Sequence, residues 1–247
     1  CFKNLKRKGV FCPMKENPIW SKDSLLGNRS LFLPMLIFFT NLLLFVLLFG
    51  NLYYISLNAQ QTGEIRYAMF NRFYYYVGGG LFVFLLLLAP ALSASSITQE
   101  REQNNLALLL CTDCTEKTIL QGKLIAYMST HLTLLSSTVP FLATLYIYGG
   151  ISGSLVLLYF FFYIFSALYC TALGIFCSCL GKNTAYSTAL SYVLEFISFL
   201  FVFYGLYWCR TQGYFFYGLI LAFLFFTLFS LSFLGIGKKY LRGLQTN

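Results

Sequence analysis

Six long apolar runs leave this chain one kind of fold. They cover approximately Leu31–Leu57, Phe73–Ser96, Leu124–Tyr148, Leu155–Leu180, Ala185–Trp208 and Tyr214–Ile236. Each is near or above the ~20 residues a helix needs to cross the hydrocarbon core of a bilayer. A segment in lipid must satisfy its own backbone hydrogen bonds, so runs of this length read as transmembrane helices. Composition agrees: 58% of the residues are hydrophobic and only 10% charged, against roughly 25% charged in soluble domains. Too few charges remain to coat a water-facing surface. The expected fold is an all-α membrane protein of six transmembrane helices. Pro34, Pro90 and Pro140 fall inside runs and are expected to kink them. The second run carries Gly78, Gly79 and Gly80, then Ala89, Ala91, Ser93, Ala94, Ser95 and Ser96. Such small residues allow close backbone approach, which suits a central place in the bundle or a subunit interface.

Charge sets the orientation. With the N-terminus inside, fourteen Lys and Arg fall on inner segments and only Arg66, Arg72 and Arg210 on outer ones. The positive-inside bias therefore puts both termini in the cytoplasm. The formal charge of +9 is spread over short juxtamembrane segments, which points to anionic lipid headgroups and not to nucleic acid. Residues 1–16 read as a basic cytoplasmic tail, in which Lys3, Lys6, Arg7 and Lys8 argue against a lipid-anchored, externally placed Cys1. Asn17-Pro18 has the pattern of a helix start. Ile19, Trp20, Leu25 and Leu26 alternate from there with Lys22, Asp23 and Arg29, as in a short interfacial helix; a plain linker is the alternative. Tyr53, Tyr54, Tyr67, Tyr74, Tyr75 and Tyr76 form an aromatic belt around the longest outer loop, residues 58–72.

Between the second and third runs lies Ile97–Lys123, which holds four of the chain's eight acidic residues. Glu100, Arg101 and Glu102 continue from the second run, so that helix is expected to extend out of the bilayer. Leu106, Leu108, Leu109 and Leu110 then form an apolar strip outside the membrane, which must be covered by the protein or by a partner. Asp113 with Glu116 fits a capping box opening a second short helix through Ile119 to Gly122. The expected element is a helical hairpin beneath the membrane. Cys111 and Cys114 form a lone CxxC with no second pair and no nearby histidine, so two ordinary thiols are the preferred reading over a metal shell.

These residues resemble the signature of bacterial ABC transporter permeases of the type-2 exporter class. That signature runs Ile, two residues, Glu-Arg-Glu, Leu, a short Leu run and Ile-x-x-Gly-Lys. Here it falls on Ile97, Glu100, Arg101, Glu102, Leu106, Leu108, Leu109, Ile119, Gly122 and Lys123. Asn17-Pro18-Ile19 with Lys22 and Arg29 resembles the family's lead-in to the first span, so the likeness covers residues 17–247 as one permease domain. Asn104-Asn105 stands where the family commonly has Gly-Thr, and Asp113 near a common Pro. Both departures touch the bend of the hairpin.

The resemblance implies a permease half of an exporter in the bacterial inner membrane, paired with an identical or homologous half. Its hairpin (97–123) would fit a cleft on a separate ABC ATPase through Glu100, Arg101, Glu102, Leu106, Leu109, Asp113, Glu116, Lys117, Gly122 and Lys123. No G-x-x-x-x-G-K-[ST] phosphate loop occurs in these residues, so ATP and Mg would be bound by the partner and this chain would carry neither cofactor nor catalytic residue. Glu195, His131 and Asn41 are polar groups inside apolar runs. A charge there costs at least ~2.5 kcal/mol on insertion scales, so each is a candidate for the translocation path, with a hydrogen-bonded packing role as the alternative. One histidine rules out a multi-histidine metal site within the chain. An ATP-independent carrier or channel would leave the hairpin without a purpose, and an intramembrane enzyme would need clustered catalytic groups where only one Glu and one His are found.

Overall fold

The computed structural model describes residues 32–62, 68–103, 116–149 and 152–246. Among them are six long helices and one short one, and no strand. They are α1 (Phe32–Thr62), α2 (Ala68–Ser93), the short α3 (Thr98–Glu102), α4 (Glu116–Gly149), α5 (Gly153–Leu180), α6 (Thr184–Thr211) and α7 (Phe215–Thr246). The tail 1–16, the interfacial helix of 17–30, the hairpin apex with Leu106, Leu109 and Asp113, and the CxxC all lie outside the described residues.

Five helices among the described residues are long and apolar enough to cross a membrane; α4 is not one of them. Its 34 residues include Ser129, Thr130, Thr133, Ser136, Ser137, Thr138 and Thr144, which dilute its apolar character. Each of these hydroxyls donates to a carbonyl three or four residues back. Their polarity is spent inside the helix, which lets such a helix sit in an apolar bundle.

α5 is the hub. It packs against α2, α4, α6 and α7, while α1 leans on α2 and α4 at the margin. The sequence expectation of a central place fell on α2, and α2 too packs against four helices, α1, α4, α5 and α6. From Ser166 onward α5 is buried almost all round: Ser166, Ala167, Cys170, Thr171, Ala172, Gly174, Cys177, Ser178 and Cys179 are all inside. Small side chains on every face are what four neighbours require of one helix. Large rings then fill the layers between: Tyr169 is packed against Phe199, Phe225, Phe226 and Phe233. α2 joins this core only through its C-terminal half, where Ala89, Ser93 and Ala94 are fully buried, whereas Gly79 and Gly80 face outward. At Gly174 a Cβ would overlap the Ser93 side chain, so the absence of a side chain there sets how closely α2 and α5 approach.

Two expectations are corrected. The second helix does not run unbroken into the charged triplet. It stops at Ser93, and residues 94–97 turn before α3 begins. Pro90 lacks an N–H, and the Ser93 and Ser95 hydroxyls compete for the carbonyls of Ala89, Ala91 and Leu92. Nor is there a separate short helix ending at Gly122. α4 runs continuously from Glu116 to Gly149, because a single buried glycine weakens a helix by about 1 kcal/mol and does not stop it.

Candidate coupling site

The charged triplet is the meeting point of four helices. Lys123, about two turns into α4, is almost wholly buried and sends its Nζ to Glu100 Oε1 at 3.1 Å. The same Nζ donates to the Ser96 carbonyl at 3.1 Å. These bonds tie α3 and the turn before it to α4, joining the two described ends of the segment 97–123.

Arg101 points the other way. Its Nη1 donates to the Gly181 carbonyl at 2.6 Å and its Nη2 to the Cys179 carbonyl at 3.3 Å. Those carbonyls end α5, where the last turn has no intrahelical donors and the helix dipole is negative. A guanidinium answers both needs. Glu102 does the converse at the start of α6: its Oε1 accepts the Thr184 N–H at 2.7 Å and its Oε2 the Thr184 hydroxyl at 3.4 Å. Asn183 stands at the N-cap of α6 but makes no side-chain cap bond, so the distant carboxylate takes that role.

α5 returns the favour to α3. Ser178 Oγ accepts the Ile97 N–H at 2.8 Å and the Thr98 N–H at 3.1 Å, the first orphan donors of the short helix. Ile97 itself is buried with Leu120, Ile175 and Cys179, so an apolar contact backs the polar one. Sequence reasoning found Glu100, Arg101, Glu102 and Lys123 but missed Ser96, Ser178, Gly181 and Thr184. A serine in an apolar run and backbone groups at helix ends carry no motif; only the break at Gly181-Lys182-Asn183 signalled that two helix termini lie there.

Gly122 is buried beside this root. Glu116 and Lys117 begin α4, and their side chains, like Leu106, Leu109 and Asp113, are outside the described residues. The three polar groups within the bundle stand on different helices, Asn41 on α1, His131 on α4 and Glu195 on α6. Glu195 lies beside the Cys170 thiol of α5. Both Glu195 carboxyl oxygens, both ring nitrogens of His131 and Oδ1 of Asn41 are buried without a hydrogen-bond partner among the described residues. An apolar groove of about 840 Å³ between α1 and α2, lined by Phe39, Leu43, Leu47, Val77, Leu81 and Phe84 among others, includes none of the three. No group of three or more candidate metal ligands occurs among the described residues.

A search of curated proteins finds no match to this chain. The family model of the ABC-2 family transporter protein matches residues 60–208, more than half of the chain. The matched stretch starts at the end of α1 and ends within α6, and so contains the segment 97–123, α4, α5 and most of α6. The chain belongs to the ABC-2 transporter family, as a membrane permease.

Proposed function

We propose that this chain is the permease half of an ATP-driven exporter. A separate ABC ATPase binds the hairpin of residues 97–123, two permease halves enclose the pathway, and ATP-driven movement of the hairpins switches access from one side of the bilayer to the other. Membership of the family implies an ABC ATPase partner. The observation that carries the mechanism is the fastening of the hairpin root. A segment that only linked two spans would need no ion pair to close it and no bonds to two further helices, whereas a segment that receives force does. The Leu106 and Leu109 strip supplies the apolar contact and Asp113, Glu116 and Lys117 the polar rim, in keeping with an interface of apolar centre and polar edge. Six spans, cytoplasmic termini and a place in the bacterial inner membrane complete the reading. Glu195, His131 and Asn41 are the polar groups assigned to the pathway.

Co-expression with an ABC ATPase encoded beside it tests this. The purified pair in proteoliposomes is expected to hydrolyse ATP, and Leu106→Asp with Leu109→Asp to abolish co-purification while the permease still inserts. A wild-type permease that binds no ATPase, or a double variant that binds as well as wild type, sinks the reading.

A further inference from the structure

The bonds at the hairpin root divide into two kinds. Glu100–Lys123 is buried and holds the hairpin's own arms together. Those of Arg101 and Glu102 reach about 80 residues along the chain to backbone groups on either side of one tight turn, Gly181-Lys182-Asn183. Glu102 is exposed and Arg101 half-exposed. Water would satisfy the same Thr184 N–H and Gly181 carbonyl if the side chains were removed, so these bonds add little to folding. What they do fix is position. The guanidinium grips the last turn of α5 and the carboxylate the first turn of α6, from adjacent residues of one short helix. Ser178 Oγ holds that helix in return. Gly181 cannot yield, since a Cβ there would overlap the Ser187 side chain.

We infer that α3 is a clamp that locks the hairpin to the α5–α6 turn, so that a push on the hairpin is delivered to the hub helix α5 and to α6, with Arg101 and Glu102 as positioning residues. This rests on the coupling reading above. The segment 97–123 has two covalent routes into the bundle, back through residues 94–97 into α2 and onward into α4, with which its second arm is continuous. The clamp adds a third, non-covalent route into α5, which packs against α2, α4, α6 and α7. It also gives the bundle a way to move α5 and α6 with α3 while each helix stays intact, since only the turn and the clamp bonds need shift together.

The experiment uses the full chain with its ATPase in nanodiscs. Hydrogen exchange is followed in two peptides, one from the hairpin and one spanning 181–187, with no nucleotide and with ATP and vanadate. In wild type both peptides are expected to respond to nucleotide. In Glu102→Ala the melting temperature of the permease is unchanged and the hairpin of the assembled complex still responds. The 181–187 peptide loses its response, and the Thr184 amide exchanges roughly tenfold faster, as for one lost charge-assisted hydrogen bond. Glu102→Gln, which keeps an acceptor oxygen for Thr184, restores the response; a merely structural role predicts no such split. Arg101→Lys, which keeps the charge but cannot span both carbonyls, is the second variant should Glu102→Ala fail to assemble, and it is expected to behave alike. If Glu102→Ala or, in its place, Arg101→Lys leaves the 181–187 response as in wild type, the clamp is overturned while the coupling reading stands. If the wild-type chain binds no ATPase, the coupling reading falls and the clamp with it.

Discussion

Lys123 illustrates what a buried charge demands of its surroundings. Its side chain is 3% exposed and its partner Glu100 15%. Removing one member of such a pair leaves the other desolvated, which costs about 3–5 kcal/mol, whereas replacing both with apolar or neutral groups of like size is often neutral. Lys123→Met is therefore expected to lower the melting temperature of the detergent-purified chain by several degrees, and Glu100→Gln with Lys123→Met to recover most of the loss. A double-variant cycle that comes out additive would show that the pair is not a unit. At this scale the sequence was informative in one direction only. The Glu-Arg-Glu triplet and the Gly-Lys end of the motif marked the right residues, because charges between apolar runs stand out. Their partners did not stand out. Ser178 sits in an apolar run, and the acceptors on Gly181 and Cys179 and the donor on Thr184 are backbone groups that every residue has. The helix-end accounting that needs them becomes visible only once α3, α5 and α6 are brought to one place.

Among the elements, α5 and α2 show how side-chain size sets helix spacing. Ser93 and Gly174 face each other, and an added Cβ at Gly174 would also sit 2.9 Å from Ser93 Cβ and 3.2 Å from the Ala94 backbone nitrogen. Gly174→Ala is expected to push α2 from α5 and destabilise by about 1–3 kcal/mol, the usual penalty for overpacking. Pairing it with Ser93→Gly should return part of that in a thermal-shift assay; a Gly174→Ala variant as stable as wild type would mean that the helices re-space freely. The small-residue signal in α2 was read correctly as close packing and a central place. What the sequence did not show is that α5, whose small residues are spaced among aromatics, also packs against four helices. The end of the second hairpin helix was missed for a related reason. Gly122 looked like a stop, but a single glycine does not end a helix that is held by packing, and here Ile119, Leu120 and Lys123 are all buried.

The whole molecule has two unlike ends, and this decides how it sits in a membrane. Arg101, Lys123 and Lys182 lie at the end where α3, the start of α4 and the α5–α6 turn converge; Lys238 and Lys239, near the C-terminal end of α7, belong to the same side by the up-and-down order of the helices. Near the opposite end the α6–α7 turn carries Arg210 alone, with Gly213 at a φ of +79° in the left-handed region that glycine adopts without strain,. Around that turn Tyr204, Tyr207, Trp208, Tyr214 and Tyr217 are all exposed, the distribution of an interfacial aromatic belt. Between the ends the outward faces are apolar: on α6, Val193, Phe196, Ile197 and Leu200 are each more than half exposed, which suits lipid and not water. A charge placed at this depth should block insertion, so Phe196→Lys is expected to lose membrane-integrated protein, at about 2.5–3.5 kcal/mol on insertion scales. The asymmetry of the ends gives the sharper test. In a background with Cys1, Cys12, Cys111, Cys114 and Cys209 changed to serine, Lys182→Cys should resist a membrane-impermeant maleimide added to intact cells and react after lysis. Gln212→Cys should react at once. The three remaining thiols, Cys170, Cys177 and Cys179, are buried in α5 and should stay silent in both. Labelling in the reverse order would place the hairpin outside the cell, where no ATPase could reach it.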